Sequence, residues 1–429
     1  MNTKTVALVL VGLVVIAGVA LAIPAIMDDD DDDDIDYGAG QGRLMIYGNA
    51  NMDDYIDDRD VEKLENIING TEKKTEFADA NNDGKIDQKD IDMVKKMIDK
   101  KPMKIYYKDA MTKQAEPINW PIVDIVSVTG ESNLATKILG KVDNITGHNQ
   151  VNDLVLYSDL PDVPIMGHFN GTGPIPLEAV SQVPVDAIIT VGKPNAVSNE
   201  AELEANGIPV VRIDFGATDP SPAYITYGYL IDAEEAAQKY VNFADRILAD
   251  IQKKVNANVA QDDKKKGMVL GYNVIYGRIS DMGNIVDMAG GVNAVDWYEH
   301  RFCREGYEWL YNYDFDYVVG NSRMGGYDYV GDADDIKDIK ETYDKHYDRY
   351  KLTDAVSSGG LVVLESTMPT IAKAAYLAEE FYPDLFEKGY GAAIHQELVD
   401  TFLKNLKDIN FDVEKDGLFL VNPDIYKTL

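Results

Sequence analysis

Two short segments near the N-terminus carry oxygen side chains at matching intervals. In each segment Asp or Asn occupies positions 1, 3, 5, 9 and 12 of a twelve-residue loop, and the second copy starts about 30 residues after the first. Calcium takes six to eight oxygen ligands, and such a loop wraps them around one ion, with the backbone carbonyl of position 7 as a further ligand. The two predicted ligand sets are Asn49, Asn51, Asp53, Tyr55, Asp57 and Asp60, and Asp79, Asn81, Asp83, Lys85, Asp87 and Asp90.

This repeat resembles the duplicated calcium loops of type I dockerins, over residues 44–101. Helices are predicted directly after the loops, at 61–68 and 91–98. The first loop has Asp54 where the second keeps the turn glycine, Gly84, and it has Asn49 where the second begins with Asp, so we expect the first site to be weaker. The resemblance implies structural calcium and a cohesin-type partner. A calcium-stapled spacer and a metal-free acidic hairpin are the alternative interpretations.

Length and charge narrow the possible functions of the chain. The 429 residues are enough for two or three domains, and a formal net charge of -33, from 74 acidic and 41 basic residues, disfavours nucleic-acid binding. Cys303 is the only cysteine, which excludes an internal disulfide framework, a cysteine-rich metal site and a lipobox-type lipid anchor.

The N-terminus predicts an extracytoplasmic location. Lys4 precedes an apolar run at 5–27 that is long enough to cross a bilayer, and the acidic run at 28–34 follows it, an order that directs the rest of the chain outward. We expect a membrane anchor at the outer face of the cytoplasmic membrane. A cleaved signal peptide is the alternative, since Ala20-Leu21-Ala22 fits a cleavage site.

The body of the chain alternates short apolar segments with helical patterns. Strands are predicted at 122–128, 154–157, 187–191 and 210–213, and again at 268–272, 317–320 and 361–365. An uninterrupted amphipathic helix is predicted at 229–255. The predicted fold class is α/β, with two Rossmann-like lobes around central parallel sheets joined by one long helix and preceded by a small all-α calcium-loop module.

The predicted domain boundaries follow changes in composition along the chain. It comprises an anchor at 1–27, an acidic linker at 28–43, the calcium repeat at 44–101, an N-terminal lobe at 102–228, the interlobe helix at 229–260 and a C-terminal lobe at 261–429.

Six short motifs follow one another along the body of the chain. They are residues 125–133 (IVSVTGESN), 158–167 (SDLPDVPIMG), 177–189 (LEAVSQVPVDAII), 205–211 (ANGIPVV), 288–293 (MAGGVN) and 308–319 (EWLYNYDFDYVV). In order and spacing they resemble the ferric-siderophore and cobalamin class of periplasmic binding proteins. The resemblance implies a substrate-binding component of an ABC importer that captures an iron chelate, a corrinoid or haem. It also implies that Glu178 and Glu308, one on each lobe, meet arginines of the permease, although either could be an ordinary surface glutamate.

Candidate ligand-binding residues occur in both lobes. Thr129, Glu131 and Ser132 stand at a strand-to-helix junction, where free N–H groups favour anions, and His168 and Asn170 lie in the following loop. The second lobe offers Tyr272, Tyr276, Arg278, His300, Arg301 and Arg304. The arginines would clamp the carboxylates of a chelate, whereas tyrosine and histidine would ligate iron or haem directly. Local pairing of His300 and Arg301 with Glu299 and Glu305, and an ordinary loop role for His168, are the alternatives.

Other classes of function find less support in the sequence. The chain lacks a G-x-S-x-G, an H-E-x-x-H and a G-x-x-x-x-G-K motif, so we expect no enzymatic activity and no catalytic cofactor. The alternative function is a cell-surface scaffold that recruits a cohesin-type partner. The anchor and the acidic surface would suit an archaeal cell exterior.

Overall fold

The last residues of the two oxygen-rich loops start the two helices of the calcium-loop module. Asp57 caps α1 (Asp58–Ile68) and Asp87 caps α2 (Gln88–Ile98), each within a capping box that also uses the carboxylate three residues later. Both helices bury one apolar face, which confirms the helices predicted from the repeat. The computed structural model describes residues 42–429, except 169–170, 194–195, 272–273, 299–301 and 304–312.

The module is joined to the body through a hairpin of β1 (Met103–Lys108) and β2 (Ala115–Trp120). Ile46 forms a bridge with Tyr107 of this hairpin, and the backbone N–H of Lys108 donates to the carbonyl of Met45 at 2.9 Å. Buried residues of the module, the hairpin and both lobes form one continuous hydrophobic cluster. The calcium repeat therefore packs as part of the body.

The first lobe is a doubly wound sheet. Its five strands are all parallel in the order β5-β4-β3-β6-β7, an order that reverses between β3 and β6. Ligands bind in open α/β sheets at such a reversal, beyond the carboxyl ends of the strands. The elements are β3 (Ile125–Ser127), α3 (Gly130–Ile138), β4 (Ile145–Asn149), β5 (Ile165–Gly167), α4 (Leu177–Val180), β6 (Ala187–Thr190), α5 (Glu200–Ala205) and β7 (Val210–Arg212).

The strand predicted at 154–157 is wrong. These residues form turns, and the second strand of the lobe is β4, which ends at Asn149. The side chain of Asp153 accepts a hydrogen bond from the N–H of Leu156 at 3.0 Å, which closes the turn, and Leu154 is 70% exposed. The backbone of this segment contacts the second lobe, as described below for the functional site, and takes no place in the sheet.

Two consecutive helices join the lobes where one had been predicted. α6 (Ser221–Leu230) is followed by α7 (Glu234–Asn258), and the chain turns between them at Asp232, whose φ is 53°. Every residue of α6 except Pro222 is buried, so it has no polar stripe from which a helical period could be read. α7 is the long amphipathic helix of the prediction, shifted towards the C-terminus, and it packs against α6 and the second lobe.

A buried ion pair ties the calcium-loop module to α7. The Arg43 guanidinium donates to the Asp54 carboxylate at 3.0 and 2.7 Å and to Asp245 of α7 at 2.8 Å. Only 9% of the Arg43 side chain and 1% of the Asp54 side chain is exposed. A buried charge is costly without its partner, so this contact fixes the first loop against the interlobe helix.

The second lobe has a mixed sheet in the order β11-β9-β8-β12-β13-β14, with β10 also pairing with β8. β8, β12 and β13 form its parallel centre. Its elements are β8 (Lys266–Leu270), β9 (Ile275–Tyr276), α8 (Asp281–Met288), β10 (Val292–Asn293), β11 (Phe302–Cys303), β12 (Tyr317–Ser322), α9 (Ala333–Tyr350), α10 (Asp354–Ser357), β13 (Leu361–Glu365), α11 (Thr370–Phe381), α12 (Tyr390–Phe402), α13 (Lys404–Asp408), β14 (Leu420–Val421) and α14 (Pro423–Thr428). The predicted fold class of two α/β lobes joined by a long helix is confirmed.

No helix in the described ranges is both long enough and apolar enough to cross a bilayer. The predicted anchor at 1–27 and most of the predicted acidic linker lie outside those ranges.

Candidate functional site

A cavity of about 330 Å³ lies between the two lobes. Its first wall comes from the carboxyl ends of the strands of the first lobe, at the reversal in strand order. Glu131 follows β3, residues 149–152 begin at the last residue of β4, and Lys193 follows β6. The Lys193 ammonium lies 3.6 Å from the Glu131 carboxylate, so this pair spans the reversal point.

The floor of the cavity is one face of α7. Tyr240, Val241, Ala244 and Leu248 of this helix line it. The ring of Tyr240 lies 4.4 Å, centre to centre, from that of Tyr224 on α6. Because α7 also packs against α8 and α11 of the second lobe, the floor is common to both lobes.

The second lobe supplies the opposite wall. The segment after β13 and the start of α11, residues 366–371, line it together with Asn321 at the end of β12. The buried Lys373 of α11 donates to the Asn321 side chain at 3.0 Å and to the carbonyl of Ser366 at 2.9 Å. Three methionines, Met282, Met288 and Met368, complete an apolar part of this wall.

A polar contact between the lobes borders the cavity, and we call residues 153–158 with their partners the interlobe latch. Arg323 of the second lobe donates to the buried Asp153 at 2.9 Å, and Thr367 donates to the same carboxylate at 3.2 Å. Asp328 accepts from the backbone N–H groups of Leu154 and Val155 at 3.1 and 2.8 Å.

The Asp153 carboxylate of the latch is buried, whereas Arg323 and Asp328 remain partly exposed. Burial raises the pKa of Asp153 to about 6, although the Arg323 guanidinium acts in the opposite direction. Arg323 also lies 3.5 Å from the buried Glu365, so one cation faces two buried carboxylates. Asn405 adds donors to the carbonyls of Val155 and Leu156 at 3.0 and 3.1 Å. These bonds fix the two walls relative to each other on the side of the latch.

The residues predicted for the cleft fall into four groups. Glu131 and Tyr276 line the cavity. Thr129 and Ser132 are buried beside it, where they form the capping box of α3. His168 is exposed in its loop and Arg278 lies 3.5 Å from Asp296, and neither lines the cavity. Five predicted cleft residues lie outside the described residues: Asn170, Tyr272, His300, Arg301 and Arg304.

Several lining residues were missed from the sequence. Lys193, Asn321 and Ser366 each come at or just after the end of a parallel strand, which is the signal that could have found them. Lys373 carries no such signal, because it lies within a helix, α11, and not at the end of a strand.

The two oxygen-rich loops hold their side chains in the same way. In both, the residue at position 5 donates its backbone N–H to the side chains of positions 1 and 3, at 3.1 and 2.9 Å. The carboxylates at position 12, Asp60 and Asp90, accept from the backbone of positions 3 and 9. Burial raises the pKa of Asp60 to about 7 and also raises that of Asp90. Oxygen donors with buried carboxylates fit a hard divalent cation.

The loops differ at position 6. Gly84 has a φ of 86° and its N–H donates to the Asp79 carboxylate at 2.8 Å. Asp54 is not among the residues with a positive φ, and its carboxylate is held by Arg43. Among the described residues, no group of three or more His, Cys, Asp or Glu side chains stands in a metal-binding arrangement. Carboxylates of the second loop accept hydrogen bonds from loop N–H groups. The second loop thus fits calcium better than the first.

The comparison with protein families identifies the body of the chain. Residues 125–367 match the model described as periplasmic binding protein. The chain belongs to the periplasmic binding protein family. This is a class of solute-binding proteins, which places the protein outside the cytoplasm. Residues 47–99 match the type I dockerin domain, which confirms the dockerin-like repeat. No curated protein sequence matches the chain.

Solved structures share the two-lobed fold at low sequence identity. The molybdate periplasmic binding protein MolA of Haemophilus influenzae, bound to molybdate, is 12% identical with a TM-score of 0.56, over 70% of this chain and 98% of that one. Helicobacter pylori CeuE with Ni(II) bound is 15% identical with a TM-score of 0.54, over 71% and 99%. The TroA-like periplasmic binding protein FepB of Veillonella parvula is 16% identical with a TM-score of 0.53, over 74% and 99%.

We predict that Asp328→Ala loosens the interlobe latch. The N–H groups of Leu154 and Val155 lose a charged acceptor, so their hydrogen exchange should accelerate about 10- to 100-fold, as expected for a hydrogen bond to a charged group. Hydrogen exchange read by mass spectrometry on the peptide covering 153–158 measures this.

Asp335→Ala is the matched control for this experiment. Asp335 accepts from the N–H groups of Val330 and Gly331 next to Asp328, and these bonds stay within the second lobe. Equal acceleration of the 153–158 peptide in both variants would contradict the latch.

Proposed function

We propose that this protein is the substrate-binding component of an ABC importer and captures an iron chelate, a corrinoid or haem in the interlobe cavity. The single observation that carries the proposal is a cavity with one wall from each lobe and a floor on the helix that joins them, within a chain of the periplasmic binding protein family. Aromatic and methionine side chains on the floor and one wall supply apolar contact, and lysines supply charge. The role is binding and delivery, without catalysis.

Thermal unfolding of the full chain with saturating calcium tests the proposal. The panel contains ferric siderophores, ferric citrate, haem and cobalamin. A compound present at a hundred times its dissociation constant adds about 2.7 kcal/mol to the free energy of unfolding, which raises Tm by about 3 °C in a chain of this size. A shift with one class identifies the ligand, and a flat response to the whole panel would refute the proposal.

Permease docking at Glu178 is part of the same proposal. Glu178 is exposed on α4, and its predicted counterpart Glu308 lies outside the described residues. We expect Glu178→Ala to lower ligand-stimulated ATPase activity of the permease in vesicles by about tenfold, since an exposed carboxylate facing an arginine contributes to docking and not to the cleft. Ligand affinity should stay unchanged.

The control for docking is Asp143→Ala, which removes another exposed carboxylate of the same lobe. Similar losses in both variants would point to general surface charge and would count against a specific contact at Glu178.

We further propose that the dockerin-like module holds structural calcium, with the second loop as the tighter site. Ca²⁺ bound by the side chains of Asp79, Asn81, Asp83, Asp87 and Asp90 and by the carbonyl of Lys85 would hold the loop carboxylates together. Replacing calcium by a chelator should lower Tm, because the ion binds only the folded module.

Asp83→Ala should weaken calcium binding at the second loop by at least about tenfold, because it removes one charged ligand. Asp99→Ala, whose exposed carboxylate pairs with Lys101 outside the loop, should bind calcium normally. Calorimetric titration of the full chain measures both. A wild-type chain whose Tm does not respond to calcium would contradict the proposal.

The dockerin match also supports a cohesin-type partner, which makes a cell-surface scaffold the second candidate function. That candidate requires a cohesin module to bind the full chain in calcium and to dissociate in chelator.

Attachment to the membrane through residues 1–27 belongs to both proposals. The mass of the protein isolated from membranes distinguishes an intact anchor from a cleaved signal peptide.

A further inference from the structure

The chain carries three Asn-x-Thr motifs, which are acceptor motifs for N-linked sugars in proteins outside the cytoplasm. They are Asn69-Gly70-Thr71, Asn144-Ile145-Thr146 and Asn170-Gly171-Thr172. Asn170 lies outside the described residues, so the first two motifs are the ones that can be compared. Such a motif is used only where the chain offers the asparagine and the hydroxyl residue to an enzyme together.

The motif at Asn144 belongs to the sheet of the first lobe. Thr146 lies within β4, which pairs with β3 and β5, and its hydroxyl donates to the carbonyl of Ile125 at 3.2 Å. Asn144 is half-buried, and its side-chain amide donates to the carbonyl of Val123 at 2.9 Å. An enzyme could hold both residues only if β4 left the sheet, so we expect this motif to stay unmodified in the folded chain.

The motif at Asn69 lies in an exposed turn at the end of α1. Asn69, Gly70 and Thr71 are all exposed. Local hydrogen bonds close the turn, from the N–H of Gly70 to the carbonyl of Ile67 and from the N–H of Thr71 to the carbonyl of Asn66, both at 3.0 Å. Helix ends open locally at a low cost in free energy. This motif can therefore reach an enzyme without disturbing the rest of the fold.

The two copies of the calcium repeat end in the same way but in different surroundings. Residues 99–101 take the places of 69–71, and the same pattern of backbone hydrogen bonds closes both turns. In the second copy Lys100 pairs with Asp232 at 3.3 Å and with Glu234. The second turn thus contacts the body, whereas the first faces solvent and carries the acceptor motif.

The apolar residue before each turn shows the same difference. Ile98 packs against the hydrophobic cluster that the module shares with the body, whereas its counterpart Ile68 is 43% exposed. An oligosaccharide is bulky and hydrophilic, so one attached to the neighbouring Asn69 would shield Ile68 from other apolar surfaces. The exposed end of α1 is therefore the place in the module where a sugar fits best.

We propose that Asn69 carries an N-linked oligosaccharide and that the folded chain is modified there and not at Asn144. The donor is an oligosaccharide linked to a polyprenyl phosphate lipid. The side-chain nitrogen of Asn69 attacks C1 of the first sugar and loses one proton, and the bond from C1 to the phosphate oxygen breaks, so that the lipid phosphate leaves with the electron pair. The inference is independent of ligand binding, so its failure would leave the proposed function standing.

Peptide mass spectrometry on the full chain, isolated from the membranes of its source, tests the inference. We expect the peptide that contains Asn69 to carry a sugar mass and the peptide that contains Asn144 to be bare. Enzymatic release of the sugar in heavy-oxygen water should leave an aspartate with one heavy oxygen atom in place of Asn69. This label separates sugar removal from earlier spontaneous deamidation, to which an Asn-Gly pair is prone.

Three variants show whether the motif itself directs the modification. Thr71→Val keeps the shape of the side chain and removes the hydroxyl, so the sugar mass should be lost completely. Thr71→Ser restores a hydroxyl and should restore the sugar, which separates loss of the motif from a folding defect. Thr146→Val is the matched control in the other motif and should leave the sugar mass unchanged.

Three results would overturn the inference. One is a bare Asn69 peptide in the wild-type chain. Another is a sugar on Asn144, and the third is a sugar on Asn69 that survives Thr71→Val.

Discussion

The rest of the structure depends on α7, the single long helix that both lobes share. It packs against α6 and against α8 and α11, and its face between the lobes is the cavity floor. A helix resists bending better than extended crossovers do, so the distance between the walls is set largely by side-chain packing on α7. The interlobe latch is a second contact that holds the two walls together, through the hydrogen bond from Arg323 to Asp153.

The dockerin-like module belongs to this same framework. Arg43 connects the first loop to Asp245 of α7, and the chain before the loop bridges to the β1-β2 hairpin. In the sequence the calcium repeat looks like a separate module, but its buried residues belong to the same hydrophobic cluster as those of the body. Calcium bound in the second loop would stabilise the body as well as the module.

The sequence predicted what periodicity and repeats can reveal. The helices of the calcium repeat and the amphipathic α7 were found because each has one apolar face. Except for its last two residues, α6 was missed, because it is buried all round. Leu154 and its neighbours were assigned to a strand because a short apolar run does not show whether it pairs in a sheet or contacts another lobe. The cavity was only partly predicted. Glu131 follows a recognisable strand, whereas Lys373 lies on α11 and lines the cavity only because of how that helix packs in the fold.

Locating a bound metal chelate tests most directly whether the interlobe cavity is the ligand site. Crystals of the full chain grown with a ferric tricatecholate would be measured at the iron absorption edge. We predict an anomalous peak in the cavity above Tyr240 and Ala244, between residues 149–152 and 366–371. An iron peak bound elsewhere on the protein, with this cavity filled only by solvent, would contradict it.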